Sequence, residues 1–249
     1  MQLHYGVLPF GSEPDTLLLV SIDQDRDKKW HAIGSAFPLY HNGKVYLITA
    51  GHVVAKLSGF PIYVLNSKEK SLISLRDAQV SVVRELDLAV VECSLNDLAS
   101  LFGRCNCVKA DYRVPRTGVG NNGDIYQVYG FPKSKNKISR SKGFGPNLFR
   151  VSLGAPRQLP KRSKLAGLPI PMMCFEIDPD RLFDDEFKPT FQLGKFEGLS
   201  GGPVIRHAAE IDSGAGSLVG MFVEWHSTEK VAVVVPIALI TSWIEAWCQ

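Results

Sequence analysis

Short apolar runs, broken at close intervals by turn residues, set the pattern of this chain. Residues 16–22, 31–39, 45–49, 62–65, 79–83 and 88–93 read as strands. A second series follows at 125–129, 148–152, 172–177, 203–205, 218–225 and 231–235. Asn42-Gly43, between two such runs, predicts a tight hairpin, because both residues tolerate positive φ. Many short strands at this spacing predict a β-barrel or sandwich. The pattern changes to a helical period only at the C-terminus. There Pro236 suits a first helical position. Ile237, Ile240, Ile244 and Trp247 fall on one face, with Trp243 beside them.

The stretch 110–123 carries Pro115, Gly118, Gly120, Asn121, Asn122 and Gly123, and reads as a connector between two halves. The expected division is an N-terminal barrel over 1–112 and a C-terminal barrel with the helix over 113–249.

Composition narrows the class. The chain has 249 residues, 45% hydrophobic and 21% charged, which excludes disorder throughout. Its net charge of +3 does not by itself call for a nucleic-acid partner. No apolar run reaches the roughly 18 residues of a membrane span. Residues 1–11 do not read as a secretory signal. Five cysteines cannot all pair within one chain, so we expect reduced thiols and an intracellular, cytoplasmic setting. Cys93, Cys105, Cys107 and Cys174 do not form a paired zinc pattern. His4, His31, His41, His207 and His226 are each isolated in sequence.

Charge is uneven. Between Lys133 and Gly167 there are ten Lys or Arg residues and no Asp or Glu. An acidic block follows, with Glu176, Asp178, Asp180, Asp184, Asp185 and Glu186. The simplest reading is two solvated loops, with pairing between the blocks as an alternative. A functional reading is a surface for a regulatory protein partner. Nucleic acid is a lesser alternative, because only Phe144 and Phe149 interleave the cations.

Three segments carry candidate chemistry: Thr49-Ala50-Gly51-His52-Val53-Val54, Asp87-Leu88-Ala89-Val90-Val91 and Gly198-Leu199-Ser200-Gly201-Gly202-Pro203. A serine hydroxyl needs a base that removes its proton as it attacks. An imidazole can do this and return the proton to a leaving amine. A buried carboxylate orients the imidazole and stabilises its charged form. The N–H groups of Gly198 and Ser200 would form an oxyanion hole, with Gly198 in a conformation closed to other residues.

These segments, in this order, resemble those of trypsin-like (chymotrypsin-fold) serine peptidases, and most closely the HtrA-like branch, here without a PDZ module. Ile33-Gly34-Ser35-Ala36-Phe37 is similar to the strand before the catalytic histidine. Val128-Tyr129-Gly130-Phe131-Pro132 resembles the strand opening the second barrel. Leu218-Val219-Gly220-Met221 and Val234-Val235-Pro236 resemble later family strands. The likeness runs from about residue 30 to 245. It implies two six-stranded antiparallel β-barrels with the active site between them and no metal or cofactor. His52 would be base and acid, Asp87 its orienter and Ser200 the nucleophile. Val223, Glu224 and Trp225 would line the substrate pocket, with Gly194 at its base.

Two departures matter. Leu199 stands where zymogen-activated members carry Asp, so activation by an inserted N-terminus is not expected. Gly194 offers no carboxylate, so a preference for Arg or Lys substrates is not expected either. The resulting expectation is a serine endopeptidase acting on protein or peptide substrates in regulated proteolysis. Two competing readings are a protease-fold binding protein with an idle triad and a non-peptidase esterase.

Overall fold

A computed structural model describes residues 4–6, 15–22, 30–55, 62–65, 72–74, 78–93, 106–108, 124–133, 136, 147–177, 196–207 and 216–248. The strands of the first half are β1 (His4–Gly6), β2 (Leu17–Ile22), β3 (Trp30–His41), β4 (Lys44–Ala50), β5 (Ile62–Leu65), β6 (Leu72–Ser74), β7 (Gln79–Val83), β8 (Leu88–Glu92) and β9 (Asn106–Val108). A short helix α1 (Gly51–Ala55) follows β4, and a single 3₁₀ turn (Arg84–Leu86) precedes β8. The second half contains β10 (Ile125–Gly130), β11 (Phe149–Leu153), β12 (Met173–Glu176), β13 (Pro203–His207), β14 (Gly216–His226), β15 (Val231–Pro236) and α2 (Ile237–Trp247).

The strands form two large antiparallel sheets. The first runs β6-β5-β2-β3-β4-β8-β7 and the second β11-β10-β13-β14-β15-β12. A small parallel pair joins β1 to β9. The second sheet closes on itself through a bridge between Pro156 and Phe175, with the Gly154 N–H donating to the Glu176 carbonyl at 2.7 Å. The fold is therefore the expected pair of β-units. The first sheet carries a seventh strand, β6, too short to show an alternating pattern in sequence. The expected boundary at 112/113 lies outside the described residues.

Burial explains the apolar runs. Leu88, Ala89, Val90 and Val91 are all buried, as are Val231 to Val235, because both faces of these central strands meet other protein. Each Leu or Val among them contributes about 1.5–3 kcal/mol on burial. The edge strand β7 leaves Val80 and Val82 exposed. The Asn42-Gly43 turn has φ of 49° and 82°, which fits the predicted hairpin between β3 and β4.

Helix α2 begins one residue later than the sequence suggests. Pro236 has φ −61° and ψ 143°, because it still pairs with Gly220 as the last residue of β15. The proline ring fixes φ but leaves ψ open to that pairing. Ile237, Ile240 and Ile244 form the buried face. The helix end reaches the first sheet: Trp247 lies 6.4 Å from the Tyr46 ring and stacks on Trp243 at 5.6 Å. His41 Nε2 meets Glu245 Oε1 at 3.0 Å. Among the described residues, no helix is long and apolar enough to cross a membrane.

Candidate active site

Strand β4 delivers His52 into the first turn of α1, and the 3₁₀ turn delivers Asp87 to the start of β8. Asp87 has φ 49° and ψ 42°, a left-handed conformation that Asp adopts more readily than most residues. Its carbonyl accepts the Gly51 N–H at 2.8 Å. Its Oδ1 accepts the His52 backbone N–H at 2.7 Å, and its Oδ2 accepts His52 Nδ1–H at 2.6 Å. Both carboxylate oxygens thus hold one residue. With Nδ1 as donor, the neutral ring keeps its lone pair on Nε2. Asp87 is 7% exposed, whereas the His52 ring remains partly open to solvent.

Ser200 lies in the turn before β13. Gly198 and Gly201 have φ of 98° and 89°. A Cβ at Gly198 would lie 2.4 Å from the Phe131 carbonyl oxygen. Four successive carbonyls of the turn are taken up by neighbours. The Lys133 N–H donates to Glu197 O at 2.6 Å and Ser35 Oγ to Gly198 O at 2.7 Å. The Gly202 N–H donates to Leu199 O at 2.8 Å and the Ser35 N–H to Ser200 O at 3.0 Å. In a trans peptide the N–H points opposite to the C=O. Binding of the Glu197 and Leu199 carbonyls therefore turns the Gly198 and Ser200 N–H groups the other way. Neither N–H has an acceptor among the described residues.

The serine turn also sits against the histidine helix. A Cβ at Gly34 would touch both Val53 Cγ1, at 2.6 Å, and the Ser200 carbonyl, at 3.2 Å. Ser200 Oγ donates to the Val223 carbonyl at 3.3 Å. Among the described residues it has no hydrogen bond to His52.

The other expected site residues fall as follows. The pairing of β14 with β15 shifts register between Phe222 and Glu224, at Val223. The Val223 side chain is buried. Glu224 is occupied as an acceptor: Ser163 Oγ donates to Oε2 at 2.7 Å and the Lys164 N–H to Oε1 at 3.2 Å, while His226 Nε2 lies 2.8 Å from Oε2. Trp225 packs on Phe196 with ring centroids 4.7 Å apart. Gly194 lies outside the described residues.

The basic stretch is described in part. Lys135, Lys137, Arg140 and Lys142 lie outside the described residues. Its neck is clamped by the buried Asn136, whose Nδ2 donates to Pro132 O at 2.9 Å and to Asn147 O at 3.1 Å. Its Oδ1 accepts the Asn147 N–H at 2.7 Å. Arg157 pairs with Glu176, one contact between the basic and acidic blocks. Lys161, Arg162 and Lys164 are exposed on the loop tied to Glu224.

No family model matches the chain, and no curated protein matches it in sequence. Solved structures do match. The serine endoprotease from Yersinia pestis matches over 94% of this chain and 62% of its own, at 16% identity and a TM-score of 0.54. This chain has a trypsin-like fold. It spans less than two thirds of the Yersinia chain. The MamO protease domain from Magnetospirillum magneticum matches over 92% of this chain and 95% of its own, at 18% identity and a TM-score of 0.49.

Within this fold His52 sits in the short helix after β4 and Asp87 in the turn just before β8, both in the first half, and Ser200 sits on the turn entering β13 of the second sheet. Sequence reasoning missed the supports of this arrangement: Ser35, Asn136, the Lys133 N–H and the Glu224 cluster. Ser35 had a signal, as a polar residue in the apolar strand β3. The Lys133 amide had none, since backbone donors leave no trace in residue type.

Proposed function

We propose that this chain is a serine endopeptidase acting on protein or peptide substrates, in regulated intracellular proteolysis. The observation that carries the reading is Asp87 bonded twice to His52 beside a serine turn whose Gly198 and Ser200 N–H groups have no acceptor among the described residues. His52 Nε2 takes the Ser200 proton as Oγ attacks the substrate carbonyl carbon. The two N–H groups stabilise the oxyanion that forms. His52⁺ then protonates the leaving amine as the C–N bond breaks. Water, deprotonated by His52, hydrolyses the acyl-enzyme. For the first step, the Ser200 hydroxyl must turn from the Val223 carbonyl towards His52.

That bond to Val223 favours a second reading, a latent or idle triad in a chain that holds a partner through its basic stretch. The two readings separate on an unfolded protein such as casein, with fragments mapped by mass spectrometry. Cleavage by the wild type and none by Ser200→Ala supports the endopeptidase. Intact casein with both supports the latent reading.

A further inference from the structure

The hydroxyl of Ser35 sits at the junction of three segments. Ser35 is fully buried in β3 of the first sheet. Its Oγ donates to the Gly198 carbonyl at 2.7 Å and accepts the Phe131 N–H at 2.9 Å. Its backbone N–H donates to the Ser200 carbonyl, and its own carbonyl accepts Thr49 Oγ1–H at 2.7 Å. One residue thus ties the histidine strand, the serine turn and the chain leaving β10. The packing leaves little room for adjustment: a Cβ at Gly130 would lie 2.8 Å from Ser35 Oγ, and one at Gly201 would lie 2.1 Å from Ser35 O.

We infer that Ser35 is a positioning residue for the oxyanion hole, acting through its hydroxyl. The inference rests on the endopeptidase reading. The Gly198 carbonyl belongs to the peptide directly between the two N–H groups of the hole. That peptide is held at both ends, its carbonyl by Ser35 and its Leu199 N–H by the Phe196 carbonyl at 3.1 Å, and with both bonds in place the Gly198 and Ser200 N–H groups keep a fixed relation to each other. Without the hydroxyl, the buried Gly198 carbonyl and the buried Phe131 N–H both lose their partner. Buried backbone groups are rarely left that way. The peptide therefore turns to find another donor, and the hole loses its geometry. Among the described residues neither His52 nor Asp87 is hydrogen-bonded to this hydroxyl, so the bonds that orient the base do not depend on it.

The test compares wild type, Ser35→Ala and Ser35→Cys, each checked for folding by circular dichroism. Cysteine keeps the volume class and supplies a weaker donor. In folded Ser35→Ala, kcat on a peptide substrate should fall about 10²-fold, the scale of losing one oxyanion donor. KM and the midpoint of the pH profile should not move. Affinity for a peptide boronate, whose tetrahedral adduct places an oxygen in the hole, should fall with kcat. Ser35→Cys should lie between. Unchanged kcat, or a fall in kcat with unchanged boronate affinity, would overturn the inference. Loss of folding in both variants would also overturn it, because Ser35 would then serve stability alone. If the wild type turns nothing over, the endopeptidase reading fails separately. The crystal structure of Ser35→Ala then decides the positioning claim: a Gly198 carbonyl turned away from residue 35 supports it, and an unchanged turn overturns it.

Discussion

The Lys133 N–H binds the Glu197 carbonyl at 2.6 Å, and this bond aims the Gly198 N–H to the side opposite Lys133. A backbone amide at the entrance of the basic stretch thus sets one of the two donors of the candidate oxyanion hole. Asn136 closes the neck of that stretch next to Lys133.

Gly198→Ala should disrupt this geometry. The residue has φ 98°, and its new Cβ would lie 2.4 Å from Phe131 O and 2.7 Å from Lys133 N, both backbone atoms. We expect kcat to fall by about 10²–10³, as for a lost oxyanion donor. Steady-state kinetics on a chain shown to be folded checks this.

Asp87→Asn should keep the fold, since Asn is at home in the left-handed conformation of this position. The amide would present an N–H to His52 and favour the wrong tautomer. Turnover should fall on the order of 10⁴. Near wild-type rates would remove Asp87 from the candidate triad.

Asn136→Ala should loosen the neck of the basic stretch. The variant loses the bonds to Pro132 O, Asn147 O and the Asn147 N–H. A cost of about 1–3 kcal/mol is expected, read from the shift of a urea midpoint at constant m.

Cys174 should resist thiol reagents at neutral pH in the folded chain. Burial, reinforced by the charge of Glu224, pushes its thiol from 9.0 up to about 11. Cys93 is also buried, whereas Cys248 is exposed. Peptide mapping after alkylation should find Cys248 modified and Cys93 and Cys174 protected. The raised value also predicts a pH effect. Above pH 9 the unfolded chain releases the Cys174 proton and the folded chain keeps it, so stability falls as pH rises from about 9 to 11. Cys174→Ala should lose less stability over that interval, measured by urea denaturation.

Much of the architecture was legible in the apolar runs, because strands buried on both faces leave continuous hydrophobic segments such as Leu88 to Val91. The Asn42-Gly43 hairpin was legible because its φ values admit few residue types. Residue type and order singled out the three candidate segments, of which the structure joins His52 to Asp87. What supports them was not. Ser35, Asn136 and the Lys133 amide act across sequence separations of 163, 11 and 64 residues, and only the folded chain brings those partners together. β6 escaped because three residues carry no period. Pro236 was placed one step too early because its ring fixes φ, while strand pairing decides ψ.

The central claim is that Ser200 is an activated nucleophile beside a formed oxyanion hole. Labelling by a fluorophosphonate, with wild type and Ser200→Ala compared by intact mass, tests it most directly. The account predicts one adduct on the wild type and none on Ser200→Ala. A folded wild type that takes up no label, or equal labelling of both chains, would contradict it.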